Sequence, residues 1–335
     1  MATAPRSQET TGSIGRRLPE FFIVGHAKCG TTALYEMLRQ HPRIYMPAHK
    51  EPWFYSRDNP HPQTTNERSI AFTGRRSMSL DEYLSLFSDA DSDQLIGEAS
   101  TSYIWSATAA RAIAEAQPSA RIIALFREPA SFLHSLHLQL LTIGSETEKD
   151  LRKAISLDDA RREGRNIPAS SYWPQALIYS DRVRYVEQLQ RYRDVFPPEQ
   201  ILVLIYDDFR ADNQGTLREV LRFLDADETA SIDALEAHPT VGVRSVRLHS
   251  MTRAVAAGRG PLAKVVRRTA KAVTTRALRE DFVYPLRRRL VYTYPKPPDE
   301  QLMRELRERF KVEVSALSEY LNRDLLKLWR YDELT

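Results

Sequence analysis

Four short runs in this chain are apolar without interruption: Phe21–Val24, Leu95–Ile96 with its flanks, Arg121–Phe126 (RIIALF) and Ile201–Tyr206 (ILVLIY). A strand with one wet face alternates polar and apolar residues, so a continuous run of strand length implies cover on both faces, as in a parallel sheet. Helical patterns separate the runs. Thr31–Gln40 places Ala33, Leu34, Met37 and Leu38 on one face, and Asp181–Tyr192 does the same with Val183, Val186 and Leu189. This order predicts an α/β fold, a central parallel sheet flanked by helices and joined by right-handed crossovers. Ligands of such sheets sit beyond the carboxyl ends of the strands. The segments to read for chemistry are therefore Gly25–Thr32, Glu98–Tyr103, Arg127–Ser135 and Asp207–Asp208.

Composition narrows the class. The 335 residues, 42% hydrophobic, suit a disordered lead at 1–18 and a single domain over 19–335. A net charge of +4 favours an anionic ligand and is too small to imply nucleic acid. There is no apolar run of about 18 residues for a membrane span and no signal-peptide core. The single cysteine, Cys29, allows no intramolecular disulfide and no all-cysteine metal site. A cytoplasmic protein is the expectation. The polar stretch 59–76 reads as a loop, Leu141–Ser171 as a partly helical flap, and 244–290 as a basic, partly helical segment with a solvated face. An amphipathic helix, Asp299–Tyr320, follows the proline break at Pro295–Pro298.

The first strand runs into Gly25-His26-Ala27-Lys28-Cys29-Gly30-Thr31-Thr32 and then a helix. Glycines permit a tight backbone path. A helix start offers free N–H groups and a positive dipole end to an anion. Thr31 and Thr32 add hydroxyls and Lys28 a full charge, so the loop is a cradle for phosphate or sulfate. Its lysine precedes the second glycine, whereas the nucleotide-hydrolase loop places it after. From there it can stabilise charge on a leaving oxygen during group transfer. Arg127-Glu128-Pro129 supplies a second anchor. The arginine leaves a strand end, Pro129 suits a first helical turn, and Ser135 follows on the same helix. Arginine is the better phosphate fork.

These residues carry a resemblance. AKCGTT followed by His41-Pro42 is similar to the 5′-phosphosulfate loop of sulfotransferases that use 3′-phosphoadenylyl sulfate (PAPS), with Cys29 where threonine or serine is commoner. Arg127, Pro129 and Ser135 resemble the segment that grips the 3′-phosphate in that family, although its middle arginine is replaced by Phe132. The resemblance spans roughly Glu20 to Phe223 and is closest to glycan (heparan-type) and bacterial members. It implies a P-loop nucleotide-binding-like sulfotransferase fold. It also implies PAPS as donor, adenosine 3′,5′-bisphosphate (PAP) as product, no metal, and a hydroxyl-bearing small molecule or glycan as acceptor. Lys28, Cys29, Gly30, Thr31, Thr32, Arg127 and Ser135 would hold the donor.

Transfer to a hydroxyl requires a base. Lys50-Glu51-Pro52-Trp53-Phe54 resembles the K-E-x-x-F-F-type segment whose glutamate is the base in heparan-type members. A carboxylate near cations stays ionised, and the aromatic pair excludes water. Glu51 is the candidate, and His49 competes because imidazole is the commonest base near neutral pH. A surface Lys50–Glu51 ion pair is the bland alternative. Glu98 either orients Lys28 or the acceptor hydroxyl, or merely precedes a capping run from Ser100 to Ser102. Asp207 and Asp208 are read as structural, against Mg²⁺ binding in an ATP-dependent phosphotransferase. His134 and His137 share a helical face without a third ligand. Arg244 and Arg247 are further phosphate candidates. Two other functions remain open, an ATP/Mg²⁺ P-loop phosphotransferase and a non-catalytic anion-binding module.

Overall fold

The computed structural model describes residues 17–56, 78–171, 173–234, 242–243, 292–293 and 297–334. The loop at 59–76, the basic segment 244–290 with Arg244 and Arg247, and residues 1–16 of the lead lie outside the described residues. Five strands form one parallel sheet: β1 (Phe21–Ile23), β2 (Ile44–Tyr45), β3 (Leu95–Ala99), β4 (Arg121–Phe126) and β5 (Ile201–Ile205), in the order β2-β3-β1-β4-β5. The apolar runs became strands for the reason their composition suggests. Every residue of β1, and β4 from Ile122 to Phe126, is fully buried, as strands covered on both faces must be. Edge strand β2 is too short to leave a pattern in the sequence. Tyr206, expected to end a strand, instead opens a helix.

The order of strands locates the site. From β1 the chain passes to one side of the sheet, and from β4 to the other, so the connections after these neighbours diverge. That divergence is the topological switch point at which open α/β sheets bind ligands. Helix α1 (Thr31–Leu38) follows β1. Helix α4 (Pro129–Ile143) follows β4, with Pro129 in its first turn and Glu128 capping it by accepting from Ala130 N and Ser131 N at 3.0 and 2.7 Å. Between them in the chain come α2 (Leu80–Ser85) and α3 (Ala109–Ala116).

The stretch expected to be a flap is helical, as α5 (Leu151–Ser156) and α6 (Asp158–Arg162), but it is bolted down. Arg161 and Glu146 form an ion pair at 2.8 Å with both side chains at most 1% exposed. Arg161 Nη1 also donates to Leu177 O (2.9 Å). Glu146 accepts from Thr147 N, Glu148 N and the Tyr179 hydroxyl. His137 lies 2.8 Å from the same hydroxyl and 3.1 Å from Lys149 O. The buried charges Glu146 and Arg161 pair across 15 residues, and only with such a partner is their burial tolerable.

Helices α7 (Tyr185–Arg193), α8 (Tyr206–Ala211), α9 (Asn213–Phe223), α10 (Glu300–Tyr320) and α11 (Leu325–Leu328) complete the described helices. Asp299 caps α10 through Gln301 N. The C-terminal residues fasten onto the strand ends: the Tyr331 hydroxyl donates to Glu128 (2.7 Å), Trp329 Nε1 to Asp207 (2.9 Å), and the Arg323 guanidinium to Asp208. Asp207 and Asp208 are thus structural, as expected, and the phosphotransferase reading loses its only metal-ligand candidates.

Candidate active site

All five strand ends contribute to one cleft of about 250 Å³. Its lining includes Lys28, Gly30, Thr31 and Thr32 after β1, Glu51 after β2, Thr101 after β3, Arg127 after β4 and Tyr206 after β5, with Gln139 from α4.

The cradle is built by close backbone approach. A Cβ on Gly25 would lie 2.5 Å from the Leu125 nitrogen, so only glycine lets the loop pass over β4. Gly30 stands at φ +92°, and no side chain caps α1. The first-turn N–H groups therefore stay open to an anion. Lys28, at φ +70°, is half-buried, and its pKa is lowered by burial and then by the charge of Arg127. Arg127 Nη1 donates to the Lys28 carbonyl at 3.2 Å, and its guanidinium lies over the Tyr206 ring. The two anchors read separately from the sequence are therefore physically joined. Helix α7 backs both: Tyr185 OH donates to Arg127 O (3.0 Å), and Gln188 Oε1 meets His26 Nε2 at 2.7 Å.

Two donor-binding candidates are placed differently. The Cys29 thiol is fully buried, its pKa pushed up to about 12 by burial, and the residue is absent from the cleft's lining while its backbone N–H donates to His26 O (3.3 Å). Ser135 is 4% exposed and is not part of the cleft's lining.

Glu51 does reach the cleft. It forms the expected ion pair with Lys50 (2.9 Å), and Trp53 Nε1 and Thr101 Oγ1 donate to its other oxygen at 3.1 and 3.2 Å. The Lys50–Glu51 ion pair is present, and the Glu51 carboxylate also lines the cleft. His49 is half-exposed and absent from the lining. Glu51 and Trp53 hold left-handed backbone, φ +61° and +56°, a conformation that surrounding structure must enforce in non-glycine residues. Here Glu51 N donates to Ala99 O (3.0 Å) and Trp53 N to Ser100 Oγ (3.2 Å). The turn carrying the carboxylate is thus shaped by the end of β3.

Glu98 touches neither Lys28 nor the cleft. It is fully buried and accepts from Tyr83 OH (2.7 Å), Ser100 Oγ (2.6 Å) and Tyr103 OH (3.0 Å). Through Ser100 it orders the turn that presents Glu51. Ser100 is committed to this network and does not cap the short helix that follows. Burial pushes the Glu98 pKa up to about 7 from 4.5. The folded state therefore keeps a proton that the unfolded chain releases, and this contribution to stability is lost as pH rises from about 4.5 through about 7. Urea unfolding of the wild type should lose on the order of 2–3 kcal/mol across that window relative to Glu98→Gln. An equal difference between the two proteins at pH 5 and 7.5 would refute the assignment.

Gln139 was not singled out from the sequence. Its Oε1 is buried without a hydrogen-bond partner while the residue lines the cleft. It lies one turn beyond Ser135 on α4, among mostly apolar neighbours. Among the described residues, no group of three His, Cys, Asp or Glu side chains is placed to hold a metal ion, and no helix is long and apolar enough to cross a membrane.

Comparison with known proteins bears on this arrangement. A sequence profile of the sulfotransferase family matches residues 19–230. Mouse carbohydrate sulfotransferase 15 is 26% identical over 255 residues, covering 62% of this chain and 44% of that protein. Human bifunctional heparan sulfate N-deacetylase/N-sulfotransferase 3 is 26% identical over 213 residues, covering 62% of this chain and 22% of that protein. The chain thus spans less than half the length of these curated relatives. The crystal structure of a sulfotransferase from Alicyclobacillus acidocaldarius superposes with a TM-score of 0.64 at 25% identity, covering 94% of this chain and 99% of that one.

Proposed function

Because the chain belongs to the sulfotransferase family, we propose that it moves a sulfuryl group from PAPS to a hydroxyl of a carbohydrate or small metabolite. The observation that carries this reading is the meeting of Lys28 and Glu51 in one cleft, with Arg127 tied to the same loop. The acceptor oxygen attacks sulfur in line, and its proton passes to the Glu51 carboxylate. The bond from sulfur to the bridging oxygen breaks, and its electron pair stays on the 5′-phosphate of departing PAP. Lys28 and the open N–H groups of α1 stabilise that charge, in the manner of preorganised donors aimed at a developing anion. Thr31 and Thr32 hold the phosphosulfate. Arg127 takes the 3′-phosphate, with Ser135 on the helix that follows it as the second candidate for that group.

The carbohydrate sulfotransferases among the relatives support a glycan acceptor. A cytoplasmic enzyme acting on free acceptors is part of the proposal, consistent with the lone, buried cysteine.

Calorimetric titration with PAP tests the donor site. PAP should bind equally with and without Mg²⁺, and Arg127→Ala should weaken it roughly 10- to 100-fold, the worth of a charge-assisted phosphate contact. Preference for ATP–Mg²⁺, or an Arg127→Ala protein that binds PAP unchanged, would sink the assignment.

A further inference from the structure

Arg182 is a buried cation that sulfuryl transfer, as described, leaves unused. It lies in the short 3-10 turn Ser180–Val183 before α7 and is 4% exposed. Its guanidinium stacks over the Trp105 ring at 4.0 Å. Its Nε and Nη1 are buried with no hydrogen-bond acceptor. Among the described residues no carboxylate pairs with it, and neighbouring Asp181 is engaged by Arg162 at 2.7 Å. Burial lowers its pKa to about 9, so it stays charged at neutral pH. An uncompensated buried charge is costly, and a hydrophobic side chain of similar volume would fill the space more stably.

Its position supplies a reason for it. Gln188 Nε2 donates to the Asp181 and Arg182 carbonyls at 3.1 and 3.4 Å, while Gln188 Oε1 meets His26, the second residue of the cradle loop. Burial, and after it the charge of Arg182, hold His26 well below its ordinary pKa, so that ring is neutral and adds no charge of its own. The same charge acts on Cys29, whose thiol faces the core behind the loop. Gln188 thus ties the backbone of Arg182 to the loop that presents Lys28, Gly30, Thr31 and Thr32 to the cleft, while Arg182 itself is not among the residues lining that cleft.

We infer that Arg182 is a positioning residue for the donor: a permanent positive charge behind the cradle that holds the phosphosulfate through the loop without touching it. Charges act over longer distances in a dry interior than in water. A guanidinium left unpaired keeps its whole field for the incoming anion, whereas a carboxylate partner would cancel it. The inference rests on reading the loop as the phosphosulfate site.

The test is calorimetric, with PAP and separately with inorganic pyrophosphate, on wild type, Arg182→Met and Arg182→Lys at low and high salt. Arg182→Met should weaken both ligands about tenfold. The loss should be similar at both salt concentrations, because a buried charge is poorly screened, and thermal stability should hold or rise. Arg182→Lys, which keeps the charge and loses the planar fork, should restore most of the affinity. An Arg182→Met protein that binds within about twofold of wild type, one that fails to fold, or a lysine variant that restores nothing, overturns the inference. If the wild type binds pyrophosphate and not PAP while the Arg182→Met loss persists, the donor assignment fails and the role of Arg182 stands. If the wild type binds neither ligand, both fall.

Discussion

Glu51→Gln should lower the rate of sulfuryl transfer by about 10²- to 10⁴-fold, the usual worth of a positioned general base. The substitution is nearly isosteric. The amide oxygen can still accept from Trp53 Nε1 and Thr101 Oγ1, the contacts that aim the side chain. What disappears is the capacity to take a proton, together with the Lys50 ion pair. That pair is partly exposed, 17% and 27% at its two side chains, so its own contribution is small. PAP release from PAPS, followed across a panel of glycans and small hydroxylated acceptors, gives the rate. PAP affinity, expected within about twofold of wild type because Glu51 is placed at the acceptor's side of the reaction, controls for folding. A variant that turns over at the wild-type rate would remove Glu51 as the base and return His49 to consideration. A non-catalytic anion-binding module predicts no turnover in the wild type either, so the wild-type rate itself separates an enzyme from a binding protein.

The second large effect concerns stability. Glu146→Ala should cost about 3–5 kcal/mol, because it strands the Arg161 guanidinium in the interior. Arg161 is 1% exposed, and although its carbonyl partners at Leu177 and Ala154 remain, none of them carries a charge. The Tyr179 hydroxyl and the Thr147 and Glu148 amides lose their acceptor in the same step. Replacing both members of the pair by apolar residues of similar volume should recover much of the loss, since neither charge is then left alone. Urea unfolding of the two variants decides the matter. A loss below about 1 kcal/mol for Glu146→Ala would mean that water reaches the pair and that the segment opens as a flap after all.

These two sites differ in how much of them could be read from the chain. The cradle was legible because everything it needs is local. Strand, glycines, lysine and helix start follow one another within a dozen residues, and the backbone path is dictated by Gly25 and Gly30. Arg127 was legible for the same reason, at the end of a continuous apolar run. That Arg127 would bond to the Lys28 carbonyl was not, because strand order sets that contact.

Glu51 was named from its neighbours in sequence, yet its direction is decided by Ala99, Ser100 and Thr101 at the end of β3. For Glu98 the sequence leaves open a role at the ligand or a place before a capping run; it is instead the buried acceptor under that turn, since its three hydroxyl donors come from Tyr83, Ser100 and Tyr103. Gln139 was hidden because a polar residue on a mostly apolar helix carries no sign of what it faces.

By itself the sequence determined four of the five strands, the cradle and the type of anion the cradle suits, because periodicity and backbone permissiveness act over a few residues. Tertiary structure alone decided the fate of the isolated charges: Glu146 and Arg161 paired in the core, Asp207 and Asp208 spent on the C-terminus, and Arg182 left unpaired behind the loop. The physical reason is that the cost of burying a charge depends on its partners. Those partners lie 15 residues away for Glu146 and more than a hundred away for Asp207 and Asp208, beyond the reach of any local pattern.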